Sequence, residues 1–186
     1  MRIERKWFLA IAVVLTSLWL VVNARTGADE TRVRWDIINV DSSGNVTAGG
    51  TDSAQADDGS ALALTGSGTF QTEDPEDVTG GGTWTLGTSS GTYRVTQLVQ
   101  FTPAAGTLAG SGLTDTIGNP ADAEAGLAVM RIKYSDGSRG VLVFSCSLVD
   151  TPPAVMEGIT ASMGSVDFWN RAPNNPTVFH VMHGGD

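Results

Sequence analysis

His180 and His183 are the only histidines of the chain, and their His-x-x-His spacing raises the question of a metal site. Residues three apart on a strand point to opposite faces, so such a pair converges on one ion only where the segment is helical or bulged. The run Thr177-Val-Phe-His-Val-Met182 has the β-branched and aromatic content of a strand, so a paired metal site is not expected there. His180 alone is chemically more interesting, because it shares a strand face with Val178 and Met182. If that face lines an interior, the imidazole stands as a proton donor or acceptor near a carboxylate such as Asp36, Glu157 or Asp167. The plainer alternative, which is preferred, buries Phe179 and Val181 and leaves His180 exposed.

Glu73-Asp74-Pro75-Glu76-Asp77 brings four carboxylates into five residues, the hard oxygen donors that calcium takes. Glu73, Asp74, Glu76 and Asp77 are therefore the calcium candidates. Their spacing does not match the calcium loop of helix-loop-helix sites, and clustered surface acids are usually solvated. Cys146 is the single cysteine, so no internal disulfide can form, and its apolar strand context reads as a small core residue rather than a nucleophile. The nearest approach to a serine-hydrolase elbow is Gly66-Ser-Gly68, which lacks both the motif and the helix that should follow it. No phosphate loop of the form Gly-x-x-x-x-Gly-Lys-Ser/Thr is present. No cofactor is expected.

The elements that must position these groups begin after a targeting pattern. Arg2, Arg5 and Lys6 precede an apolar run from Trp7 to Val22, broken only by Thr16 and Ser17, and Val22-Asn23-Ala24 suits cleavage after Ala24. The run of about 16 residues is short for a membrane span, which needs roughly 20, so a signal peptide over 1–24 is expected and an uncleaved anchor is the alternative. The expected localisation is secreted, periplasmic or cell-envelope. Residues 25–32 form a polar lead-in, 33–183 the folded domain and 184–186 a tail. Without residues 1–24 the chain keeps 8 Lys+Arg against 19 Asp+Glu, a net charge of −11. Such an acidic chain repels phosphate backbones and anionic bilayers, so neither nucleic acid nor membrane is an expected partner after cleavage.

From Val33 onward the chain alternates strand-like runs with Gly, Ser, Thr and Asp clusters, and no helical period is sustained. The expected strands are 33–40, 60–70, 82–86, 91–102, 127–134, 140–149, 158–169 and 177–183. The clearest local signal is a hairpin turning at Asp136-Gly137, read as a tight two-residue connection. Before the turn Met130, Ile132 and Tyr134 share one face opposite Arg131 and Lys133. After it Leu142, Phe144, Cys146 and Leu148 share a face, and Val141 and Val143 suggest cover on the other side too. In 91–102, Tyr93, Val95, Val99 and Phe101 are assigned to one buried face. The segments 71–82 and 107–126 read as rim loops. Eight strands without covering helices imply an all-β fold, a single antiparallel barrel first and a β-sandwich second.

Gly66-Ser-Gly-Thr-Phe70, Gly80-Gly-Gly-Thr-Trp84 with Gly91-Thr-Tyr93, and the stretch Glu157 to Phe168 resemble small exported bacterial β-barrel proteins of uncharacterised function. More distantly they resemble the dirigent and allene oxide cyclase barrels, although Ala161-Ser162 stands where those have a second Gly-Gly pair. The resemblance implies an eight-stranded barrel whose lumen holds a small hydrophobic molecule, and it transfers no catalytic residue. Gly82-Thr83-Trp84 is also similar to the Gly-x-Trp of lipocalins.

Three functions follow as expectations. The first is a non-catalytic exported barrel, binding a small apolar ligand or a cell-envelope partner, with Trp84, Tyr93, Phe101, Met130, Ile132 and Phe144 lining the lumen. The second is a cyclase- or isomerase-like barrel with His180, Tyr134 or Glu157 as acid or base. The third is a structural or adhesion module with a filled core. Oligomeric state is left open.

Overall fold

The computed structural model describes residues 31–172 and 176–183; the signal-peptide and tail assignments fall outside them. Fourteen strands follow in order: β1 Arg32–Val40, β2 Asn45–Ala48, β3 Asp52–Gln55, β4 Ala61–Leu64, β5 Ser67–Gln71, β6 Gly81–Leu86 and β7 Ser89–Ala104. Then come β8 Thr114–Asp115, β9 Ala123–Tyr134, β10 Arg139–Cys146, β11 Gly158–Met163, β12 Val166–Phe168, β13 Asn170–Arg171 and β14 Thr177–Met182. One 3-10 turn, Pro120–Asp122, precedes β9.

The all-β antiparallel barrel forms as expected, and its ring closes through six strands, β1–β14–β9–β7–β6–β5 and back to β1. Two arms extend it. From β9 the sheet continues through β10, β11 and β12, and from β6 through β4, β3 and β13. Because only Trp169 separates β12 from β13, while one pairs with β11 and the other with β3, the two arms also meet.

Alternation builds the core. Val33, Trp35 and Ile37 of β1 point inward and Arg32 and Arg34 outward; Met130, Ile132 and Tyr134 do the same against Arg131 and Lys133 on β9. The main cluster results, in which Phe144 meets Phe179 at 4.9 Å and Trp35 at 5.5 Å between ring centroids, and a smaller one gathers Ile38, Val46 and Val178. Where β6 passes the end of β4, a Cβ on Gly82 would stand 1.9 Å from the Thr65 carbonyl oxygen, so only glycine fits.

Several expectations need correction. The Met130–Phe144 hairpin is present, but its connection has three residues, with Gly137 N donating to Tyr134 O and Tyr134 N to Ser138 O. Only Gly137 takes a positive φ, +94°, and Asp136 instead accepts from Ser138 N and Oγ. Register shifts at Val95/Gln97 and Leu98/Gln100 put two bulges into β7, burying Leu98 and leaving Val99 51% exposed. Val141 is 37% exposed, so β10 is not covered there. The 60–70 run divides into β4 and β5 at Thr65-Gly66, and the short β2, β3, β8 and β13 were not foreseen.

Candidate functional site

The residues singled out for acid–base chemistry are each held by structural partners. His180 lies on the outer face of β14, opposite Phe179, yet it is buried, because residues 107–122 fold back over that face instead of standing at a rim. β8 pairs parallel with β2, and Thr116 N donates to Val46 O, which fixes this strap. Beneath it His180 Nε2 meets Asp115 Oδ2 at 2.6 Å, while Asp115 Oδ1 accepts from Ile117 N. Gly118 packs so closely on the imidazole that a Cβ would come within 2.9 Å of Cδ2. Arg34, registered opposite His180, grips the buried Asp36 through two hydrogen bonds of 2.7 and 2.9 Å, the main reason its guanidinium pKa is raised. Neither expectation for His180 holds in full: it is neither in the lumen nor exposed. His183 turns to a different acid, Asp122, at 3.3 Å, so the two histidines do not converge.

Tyr134 is buried on the inner face, and its hydroxyl donates to Ser162 O at 2.9 Å. Burial raises its pKa, as it does that of Tyr93, whose hydroxyl donates to Thr65 O. Glu157 accepts from Ser147 N and Thr177 N, tying the residue that follows β10 to the start of β14. Desolvation pushes its pKa up to about 6 against the opposing pull of those hydrogen bonds, and the Asp52 charge adds to the rise. The Thr177 hydroxyl lies 2.7 Å from Ser145 O and 2.8 Å from Glu157 Oε1. Donated to Glu157, the hydroxyl favours the carboxylate and works with the two backbone donors against the desolvation that raises the pKa. Burial lowers the Arg171 pKa, and the charges of Asp52 and Glu157 act against that.

Trp84, Tyr93, Met130, Ile132 and Phe144 all sit in the core cluster with 5% exposure or less. Phe101, half-buried, packs on Phe70 and Phe179 at 5.1 Å from each. Cys146 is buried and its thiol pKa raised by burial. Of the calcium candidates, Asp77 pairs with Arg32, Asp74 caps its own turn by accepting from Glu76 N, and Glu73 and Glu76 are exposed. Among the described residues no group of three His, Cys, Asp or Glu is placed to hold a metal ion.

The arrangement that the sequence reading missed lies on the outer face of β7, β9 and β10. Arg94 is registered opposite Lys133, and Lys133 opposite Arg139. Three cations thus form a row across three adjacent strands, about 4.8 Å apart per strand. Arg131 joins them two residues along β9. These are four of the seven basic residues described. Arg32 and Arg34 have carboxylate partners and Arg171 is exposed to the charges of Asp52 and Glu157, whereas none of these four forms an ion pair among the described residues. A surface depression of about 560 Å³ is lined by all four, with Thr96 and Ser162 at its sides. A second of about 500 Å³ continues it over Val141 and Ser162 to Asp167 and Trp169. The outward alternation of Arg131 and Lys133 was legible in the hairpin; their alignment with Arg94 depends on a register that sequence does not display.

Comparison with known proteins adds no identity: no family model, no curated protein and no solved structure matches this chain.

Proposed function

We propose that this protein is an exported, non-catalytic binding module, acting through the outer face of β7, β9 and β10 on an anionic partner in the cell envelope or its surroundings. The observation that carries the reading is the unpaired row Arg94–Lys133–Arg139 with Arg131, on a chain of net charge −9. Like charges directly opposite on neighbouring strands destabilise a sheet, each pair by a few tenths to about 1 kcal/mol. The chain carries 20 acidic residues, yet none of the described ones forms an ion pair with the row. Local rules are broken in this way where function requires it. Three arginines supply planar forks suited to carboxylate, sulfate or phosphate. The surrounding acidity disfavours long polyanions approaching from a distance, while screening over about 10 Å at 0.1 M salt lets the row act on groups seated upon it.

The packed aromatic core supports a surface reading over an interior ligand, and the structural engagement of His180, Tyr134 and Glu157 supports binding over catalysis. Calorimetric titration with a short sulfated dextran oligosaccharide and with its neutral counterpart tests it. The purified protein binds the sulfated oligosaccharide, more weakly as salt rises from 50 to 200 mM, and ignores the neutral one. A Lys133→Glu, Arg131→Glu double variant that is folded and binds as well as the parent overturns the reading.

A further inference from the structure

We infer that the anionic partner is an acidic oligosaccharide, seated across β9 to β12 with its charged groups on the basic row and a sugar ring stacked on Trp169. The inference rests on the anion-binding reading above and adds the chemical class.

Trp169 is 61% exposed, while Trp35 and Trp84 are buried in the core. Its ring is held: Nε1 donates to Asp57 Oδ1 at 2.9 Å, across 112 residues of sequence. That bond uses the only polar group of the indole and leaves an oriented apolar face toward solvent. The floor between this platform and the cations is continuous. Arg131 is registered opposite Val141, Val141 N donates to Ser162 Oγ, Ser162 is registered opposite Asp167, and Trp169 shares a face with Asp167. Three strand spacings make the span from β9 to β12 about 14 Å. The two depressions share Val141 and Ser162, so they form one groove.

The groove changes character along its length. At one end four cations recognise anions. At the other, Asp167 is an exposed carboxylate that repels a phosphate chain but accepts hydrogen bonds from hydroxyls, and Val141 and Trp169 offer apolar surface. Ser162 Oγ already accepts from Val141 N and keeps its hydrogen to donate. A ligand that matches both ends carries anionic groups, hydroxyls and C–H ring faces together. Single-stranded nucleic acid fits less well, since its binding proteins stack successive bases on several aromatics and the groove has one, beside an acid.

The test measures affinities of the full chain and its Trp169→Ala and Trp169→Phe variants for four probes: an oligogalacturonate, a sulfated oligosaccharide, inorganic polyphosphate and oligodeoxythymidylate. Trp169→Ala weakens binding of at least one acidic oligosaccharide tenfold or more and of polyphosphate less than twofold, and Trp169→Phe retains most of the affinity. Which of the two sugars binds tells carboxylate from sulfate. Equal effects of Trp169→Ala on sugar and polyphosphate, no effect on either, or tighter binding of the oligonucleotide than of both sugars overturns the inference while leaving an anion-binding face. Failure of every anionic probe to bind removes that face as well.

Discussion

Replacing Lys133 by Glu should make the protein more stable and less able to bind. Lys133 stands between Arg94 and Arg139, each registered directly opposite it, and all three side chains are exposed. The substitution converts two like-charge neighbours into two opposite-charge ones. Exposed pairs are worth a few tenths of a kcal/mol each once solvent and salt screen them, so the two reversals together come to roughly 1 kcal/mol. For a domain of about 150 residues that raises Tm by about 2–4 °C. Differential scanning calorimetry at low salt reads the shift, which should shrink in 1 M salt, where the screening length falls to about 3 Å. Lys133→Gln should fall between parent and Glu variant, since it removes the repulsion without adding attraction. A Tm that is unchanged or lower in Lys133→Glu at low salt would show that the row carries no electrostatic cost. Binding would then not be needed to account for the retention of the row.

Three further perturbations test the scaffold. The Glu157 pKa stands at about 6 in the fold, above its ordinary 4.5, so the native state holds the proton more tightly than the unfolded chain does. Its contribution is fully present below about pH 4.5 and is lost as pH rises through 6, about 2 kcal/mol in all. Urea denaturation of parent and Glu157→Gln at pH 4.5 and 7 should show that difference in the parent and a smaller one in the variant; equal pH dependences would contradict the assignment. Phe144→Ala, which empties a site between Trp35 and Phe179, should cost about 3–5 kcal/mol in the same assay, and a loss below 1 kcal/mol would mean the core is loosely filled there. Gly137→Val forces a β-branched residue to φ +94° and should cost at least about 1 kcal/mol, with a fall of several degrees in Tm; an unchanged Tm would mean that the turn tolerates rearrangement.

The parts of the fold that were legible share a long, uninterrupted period of two. Val33 to Ile37 and Met130 to Tyr134 alternate without error, and each is a ring strand. The parts that were not legible fail for separate reasons. Asn45–Ala48 and Asp52–Gln55 are four-residue strands with too few apolar residues to show a period, and they form only because β1 and β4 offer them edges. In β7 the two bulges break the alternation in the middle of the strand, so Val99 turns outward where a strict period of two places it inward. The fate of His180 turned on a strap some sixty residues away in sequence, rich in small residues that pack closely, as Gly118 does on the ring. The basic groove was half visible, because Arg131 and Lys133 alternate with core residues, but Arg94, Arg139 and Trp169 reach it only through the pairing of β7, β10, β11 and β12.

Mapping amide chemical shifts in the labelled protein distinguishes a barrel that works through its outer basic face from one that works through its interior. The titrations use an acidic oligosaccharide and, separately, an apolar dye. The oligosaccharide should perturb Arg94, Arg131, Lys133, Arg139 and Trp169 and leave Phe70, Phe144 and Phe179 in place, while the dye should perturb nothing in the core. Dye-induced shifts centred on Phe144 and Phe179, with the basic strands silent toward the oligosaccharide, would contradict this and return the interior to the place of the binding site.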